Sequence, residues 1–417
     1  MSIEPWINWQ FHKAPGLIDP RASFSRASTA RTVSRTGALI TKPANAARFR
    51  FNPVTGLSEG LLVEPQRTNL LLRSEELDNA AWTATGATVT ANSTAAPDGT
   101  TTADRVAATA TGGNLAQAVT ITAGRGIALS VFFRANATAW AWMQITDGTN
   151  AVECWFNLAD GVVGANTAGA ATNVFSQKTI ENMGGGWFRC ALETTTVTST
   201  GFTARFGPAA ADSAAPASGN SLFAWGTQLE ADAPLTNPTS YISTTSGTVT
   251  RNADNLRLSV TSAEVPLDRG TMVFDFVART LPPLLGGQGV VLGGIGNTFD
   301  NTVYISRFGP TSLTVAYRSG GVGATGLPSR TCALVPGTTY RVGTTWQSGR
   351  IALCVDGAAV SVSTSGITPL ASVARLAVGM GPWTASDSSN SGNAAMRAFL
   401  YAPHTVSDAV LQQLTAP

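Results

Sequence analysis

Trp140 and Trp142 stand two residues apart in TAWAWMQIT. That spacing puts them on one face of an extended strand with Gln144 and Thr146, and leaves Ala139, Ala141, Met143 and Ile145 on the other. Trp155 in AVECWFNL and Trp187 in WFRCALET alternate in the same way onto the polar sides of their strands, beside Glu153, Arg189 and Glu193. An indole outside a core can stack on a sugar ring while neighbouring charges bind hydroxyls, or it can fill a contact between subunits. A sheet covered on both faces would make these tryptophans core residues. The pattern leaves all three readings open, with subunit packing ahead.

The residues that hydrolysis would need are missing from the pattern. Glycan hydrolysis uses two carboxylates facing one cleft, about 5 to 9.5 Å apart, and no strand here carries alternating acids. Asp275 in TMVFDFVAR shares its face only with Val273, Val277 and Arg279, which reads as a solvated outer face. Of the two histidines, His12 lies at one end of the chain and His404 at the other. His404, Ser407 and Asp408 could be drawn as a triad, but capping of a final helix accounts for them at less cost. GVGATG, residues 321–326, has dinucleotide-type glycine spacing, yet Leu327-Pro328 follows where a helix should start, so a flexible loop is expected. In WTASDSSNSGN, Trp383 precedes Asp387, Asn390 and Asn393. Such an oxygen-rich loop can hold calcium or a sugar, although one carboxylate supports a plain surface loop better. Cys154, Cys190, Cys332 and Cys354 show no CxxC spacing, which disfavours zinc ribbons and thioredoxin-like chemistry and makes them small core residues. The expectation is a chain that is not an enzyme, with no resident metal or cofactor beyond that calcium option.

The elements that must position these residues are strands. Charged residues make up 12% of the chain, against roughly 25% in an average soluble domain. The surface must therefore be built from Ser, Thr, Asn, Gln and Gly, a composition that suits pleated strands and tight turns. Period-two alternation recurs from about residue 100, in GIALSVFFR, GFTARFG, NSLFAWGTQLE, TMVFDFVAR, NTVYISRF, TSLTVAYR and TYRVGTTW. Asp147-Gly148, Asp160-Gly161 and Asp356-Gly357 supply hairpin turns. A chain of 417 residues exceeds the roughly 250 that one core usually serves, so two all-β sandwiches are predicted, meeting near residue 247. The one helix expected is C-terminal, with Thr405 and Asp408 as a capping box and Val406, Val410 and Leu414 as its apolar stripe. Pro5, Pro15, Pro20, Pro43 and Pro53 mark the first sixty residues as an arm and lead-in. A net charge of +2 with scattered Lys and Arg gives no nucleic-acid footprint, although seven basic residues between Arg21 and Arg50 make the arm basic. Neither a signal peptide nor a membrane-inserting run is read from the sequence.

Within the lead-in, Phe24 to Ser28 (FSRAS), Pro53 to Gly56 (PVTG), Gly60 to Leu71 (GLLVEPQRTNLL) and Ser74 to Leu77 (SEEL) follow one another in a recognisable order. This stretch resembles the lead-in of phage tail-fibre and head-fibre (head spike) proteins, in which it precedes a carbohydrate-binding-like jelly roll. FAWGTQLEADAPLTNPTSYI, Phe223 to Ile242, looks like the closing strand of that module. The C-terminal TTYRVGTTWQSGRIALCVDGAAV and MRAFLYAPHTVSDAVLQQL resemble a concanavalin A-like, laminin G-type sandwich. In physical terms GLLVEPQRTNLL is two buried stretches around a polar corner, where Glu64 and Arg67 could pair, and it should anchor the arm to the first sandwich.

The resemblance implies residues 1–60 as a virion-attachment arm, 61–247 as a jelly roll and 248–417 as a concanavalin A-like domain. It implies a structural component of a virion appendage, assembled in the bacterial cytoplasm. Trp6, Trp9 and Phe11 would dock to other virion proteins, the chain would form a symmetric homo-oligomer such as a trimer, and the sandwiches would face host-surface glycan. A purely structural decoration role and a polysaccharide depolymerase are the alternatives.

Overall fold

The computed structural model describes residues 5–168, 175–194, 198–232, 238–279, 290–307, 311–335, 337–383 and 394–417. Among these described residues the elements are strands throughout, with one terminal helix. The alternating segments pair as antiparallel ladders and stack into two sandwiches.

The first sandwich packs two six-stranded sheets. One runs, in spatial order, Phe175–Gly184, Trp187–Thr194, Gly126–Ala135, Ser221–Asp232, Ala103–Ala108 and Ala87–Thr94. The other runs Val162–Ala168, Ala151–Asn157, Trp140–Thr146, Gly201–Ala209, Asn114–Thr120 and Thr83–Thr85. Leu115, Phe133, Met143, Phe156 and Phe206 fill the space between them. Cys154 and Cys190 face this core from opposite sheets, and burial pushes the Cys154 thiol up to about 12 and raises that of Cys190 as well. Since the thiolate is the reactive form, a thiol reagent at pH 8 is expected to leave Cys154 and Cys190 unmodified in the native chain. All four cysteines should label in denaturant, with peptide mass spectrometry as the readout; native labelling of Cys154 or Cys190 would contradict this packing.

The second sandwich packs two eight-stranded sheets and begins at the N-terminus. Ile7–Trp9 pairs with Ala394–Ala402, setting Trp9 opposite Phe399. Ser58–Val63, followed by Arg48–Phe51, extends the same sheet along that same edge of Ala394–Ala402, whose other edge is taken by Arg269–Ala278. Ala22–Ser25 edges the facing sheet, against Asn255–Ser259. The first sixty residues are thus not a free arm. Their alternation Ile7, Trp9, Phe11 points inward, and these side chains are 1%, 7% and 2% exposed within one core with Phe274, Trp346 and Phe399. Each large apolar side chain so buried contributes about 1.5–3 kcal/mol, which is why a three-residue strand holds its place. Trp6 is half-buried, edge-on to Tyr401 with Arg21 over its ring. Of the three aromatics expected to dock, Trp9 and Phe11 are core residues and Trp6 lies at the core's edge. The chain lays down part of the second sandwich, builds the first, and returns, so a division at residue 60 or 247 separates strands that share a sheet. Gly60 sits where the returning strand crosses: at φ +108°, a Cβ there would stand 2.1 Å from the Met396 carbonyl oxygen.

The GLLVEPQRTNLL run holds the two halves together. Glu64 accepts from Ser240 N (2.7 Å) and Oγ (2.6 Å) and pairs with Arg48 at 2.8 Å and Arg251 at 3.6 Å. Asp254 accepts from Arg26 at 2.9 Å, from Arg48 and from the Glu64 backbone N–H at 3.0 Å. These five charged side chains are at most 2% exposed. Burial works against the charge on Glu64, but Arg48 and Arg251 hold its carboxyl well below the ordinary range. Glu64 therefore bonds to residues remote in sequence, where a local partner, Arg67, was expected. The Asn69 side chain ties its own strand to Ser221–Asp232 and to Ile242, donating to the carbonyls of Thr227 (3.0 Å) and Ile242 (2.8 Å) and accepting from the backbone N–H of Leu71 and Leu229.

The helix, Asp408–Thr415, is capped by Ser407, not Thr405. It buries Leu411 and Thr415 against Thr339–Gln347 and Arg350–Val355, with Val406 and Val410 half-buried at the edge. Asp408 is tied to Arg350 at 2.5 Å and the Ser407 hydroxyl accepts from Val410 N, the capping contact expected of it. Among the described residues no helix is long and apolar enough to cross a membrane.

Candidate functional site

The outward face of the strand Trp140–Thr146 presents the arrangement best suited to a ligand. Its neighbours fix the register: Trp142 lies opposite Trp155 on one side and Gly207 on the other, and Gln144 lies between Glu153 and Arg205. Ala141, Met143 and Ile145 are fully buried beneath, so Trp140, Trp142 and Gln144 must point outward, where they are half-buried. The Trp142 indole N–H donates to Glu153 Oε2 at 2.9 Å, the Gln144 amide donates to the same oxygen at 3.3 Å, and Arg205 donates to Gln144 Oε1 at 3.3 Å. Trp140 lies over Gly164, where a Cβ would fall 2.7 Å from both its ring and Asp212 Oδ1. The polar chain fixes the Trp142 rotamer, and glycine under Trp140 lets that ring lie close to the sheet. Two indoles thus flank a donor–acceptor row. Arg205 escaped the sequence reading although GFTARFG alternates as clearly as its neighbours; nothing marked its strand as adjacent to Gln144.

The other tryptophans fall elsewhere. Trp187 is 4% exposed, donates to Ala95 O at 3.2 Å, and packs with Phe132, Trp225 and Tyr241 in a small core under the lead-in. Arg189 is buried with it, donating to Thr239 O at 2.7 Å and Ser130 Oγ at 3.0 Å, a structural tie. The polar side of their strand predicts an outward position for both, but every residue of Trp187–Thr194 is buried. Trp155 sits at a bulge between Cys154 and Phe156 and is 8% exposed. Trp383 is buried against Tyr304 and Phe299 at the rim of the second sandwich. Asp387 and Asn390 lie outside the described residues, and among the described residues no group of three or more His, Cys, Asp or Glu could hold a metal.

The acids also differ from expectation. Asp275 is 4% exposed, held between Arg341 and Arg397 at 3.2 Å each, so cross-strand neighbours replace the solvent assigned to it. A carboxylate pair invisible in any single strand does form: Glu59 and Glu181, from different sandwiches, share Arg50 and Arg279. Burial alone would raise the Glu181 pKa, but Arg279 and Arg50 overcome it and hold the group at about 2.

No family model matches the chain, and no curated protein does. Solved structures similar to it include the CBM40 module of a Ruminococcus gnavus IT-sialidase bound to alpha2,3 sialyllactose, at 14% identity and TM-score 0.29, covering 36% of this chain and 84% of that one. Mouse laminin alpha1 chain domains LG4-5 are similar at 13% identity and TM-score 0.23, covering 69% and 85%. Trypanosoma rangeli sialidase in complex with sialic acid is similar at 8% identity and TM-score 0.30, covering 72% and 52%. Overlaps this slight leave the reading of the site to the chain's own residues.

Proposed function

We propose that this chain is a non-catalytic recognition component of a phage virion appendage, a tail fibre or head fibre, that binds host-surface glycan on the Trp140–Trp142 face of its first sandwich. The observation that carries glycan binding is the outward indole pair beside Glu153, Gln144 and Arg205. Sugar rings offer C–H faces for indoles and hydroxyls for carboxylate, amide and guanidinium groups, and this face supplies both kinds of partner in a pre-ordered array. Placement on a virion is supported by the resemblance of Gly60 to Leu71 and its flanking motifs, and a symmetric homo-oligomer is part of the same reading.

The Glu59–Glu181 pair is unsuited to glycoside hydrolysis. Glycoside hydrolysis needs one carboxylic acid that stays protonated until it donates to the leaving group. Glu59 and Glu181 are each paired with two arginines, and Glu181 is held ionised to about pH 2. In a test of the reading, the purified chain is applied to an array of bacterial surface glycans, and gold-labelled antibody to the chain is imaged on particles. Retention on a subset of glycans, with label at an appendage, is expected. Label confined to the cell, or no glycan retained, would count against the corresponding half of the proposal.

A further inference from the structure

A cleft of about 430 Å³ opens between the two sandwiches, away from the tryptophan face. One wall is the turn Asn52 to Gly56. The Asn52 side chain accepts from the backbone N–H of Val54 at 3.0 Å and Thr55 at 2.9 Å, which fixes the turn and leaves Val54 61% exposed. The opposite wall is the strand Phe175–Gly184, offering Thr179, Ile180 and Asn182. The walls meet at one end, where a Cβ on Gly184 would stand 3.1 Å from the Pro53 carbonyl oxygen. Across the cleft, Arg50 pairs with Glu59 and, at 2.5 Å, with Glu181, while Arg279 pairs with Glu59 at 3.3 Å and Glu181 at 3.1 Å.

This closed square of two acids and two arginines has no net charge, and Arg189, which also lines the cleft, is buried and donates to Thr239 O and Ser130 Oγ, so the square offers no counter-ion to a charged ligand and the further arginine is tied to the protein. The square is also rigid, because each side chain is fixed by two partners, and a ligand need not pay to order it. The edges of Glu181 and Arg279 still reach solvent, at 33% and 20% side-chain exposure. A carboxylate only accepts and a guanidinium only donates, whereas a hydroxyl does both. Adjacent hydroxyls can therefore span the Glu–Arg edge, while Val54, Ile180 and Pro238 meet a C–H face. The volume falls in the range of roughly 300–1,000 Å³ usual for small-ligand sites, which also favour domain junctions.

We infer that this cleft is a second binding site, independent of the tryptophan face, for a neutral hydroxyl-rich ligand, namely a sugar unit of an uncharged polysaccharide. Its position gives the Pro53 to Gly56 turn a role as the outer wall.

Titration calorimetry with lactose, maltose and cellobiose, and with glucuronate as the charged comparison, tests it. The unaltered chain should take an uncharged disaccharide at two sites. Val54→Trp fills the cleft without touching the ion square and should weaken one site at least tenfold. Thr179→Trp fills it from the other wall and should do the same, with circular dichroism confirming the fold of both. Trp142→Ala should leave the cleft site intact. Unchanged binding in both filled variants would overturn the cleft while leaving the tryptophan face standing. Loss of all binding in the filled variants, with none in Trp142→Ala, would support the cleft and sink the tryptophan face. Preference of the cleft for glucuronate, or no uptake of any uncharged sugar, would overturn the inference.

Discussion

Replacing Asp254 by Asn is expected to destabilise the chain by about 3–5 kcal/mol, the cost of removing one partner from a buried ion pair. Asp254 is fully buried, and with Glu64 it balances Arg26, Arg48 and Arg251, leaving one positive charge in excess. The substitution leaves two in excess, in a place where water cannot reach them. It also strains the contact with the Glu64 backbone N–H, since an amide nitrogen turned toward it would meet a donor. Exposed pairs of this kind contribute at most about 1 kcal/mol, so Asp268→Asn, whose partner Arg269 is 54% exposed, is the control. The comparison is read from urea midpoints at constant m-value. Equal midpoints for the two variants would mean that the junction between the sandwiches does not depend on this cluster. The acid limb has a definite sign. Arg48 and Arg251 hold Glu64 below its usual value of 4.5 despite burial, so its contribution is whole above that pH and is lost only on stronger acidification.

What the sequence disclosed, and what it hid, divides along the distance between partners. Alternation in AVECWFNL and TAWAWMQIT gave strands and inward faces correctly, and in TYRVGTTW it gave a strand, because a period of two is local. Asp356-Gly357 was legible as a turn for the same reason, and both residues take positive φ, 47° and 68°. The N-terminus carried an equally clear alternation, Ile7, Trp9 and Phe11 against Asn8 and Gln10. It was outweighed by the prolines around it, and its partner strand, Ala394–Ala402, lies at the opposite end of the chain. The tryptophans fared according to their sheets. Trp140 and Trp142 face outward because one side of their strand is uncovered, whereas the strand of Trp187 is covered by the facing sheet on one side and by the lead-in on the other, which no local pattern announces. The charge clusters were the least legible features. Arg26, Arg48, Glu64 and the Arg251–Asp254 pair come from four separate segments, and each alone looks like ordinary surface charge.

Trp142→Ala is expected to weaken glycan binding by about thirtyfold, the roughly 2 kcal/mol that a central aromatic anchor carries. Stability should barely change, because the ring is half-exposed and Ala141 and Met143 make the buried side of its strand. Trp187→Ala should show the reverse: a stability loss of about 3–5 kcal/mol from an emptied core site, with the affinity of the folded fraction unchanged. Trp142→Phe separates stacking from hydrogen bonding, since phenylalanine keeps an aromatic face and loses the N–H given to Glu153 at 2.9 Å. It should recover most of the affinity if the ring face is what the sugar meets. Glu153→Gln then reports on the polar row, because it replaces the oxygen that Trp142 and Gln144 share with a group that both accepts and donates. Binding measured by calorimetry and self-association measured by sedimentation divide the two uses of an outward indole. Lost affinity at constant mass assigns the face to glycan. Unchanged affinity with a fall in oligomeric mass would assign it to subunit packing, because the same desolvated ring then anchors a second copy of the chain.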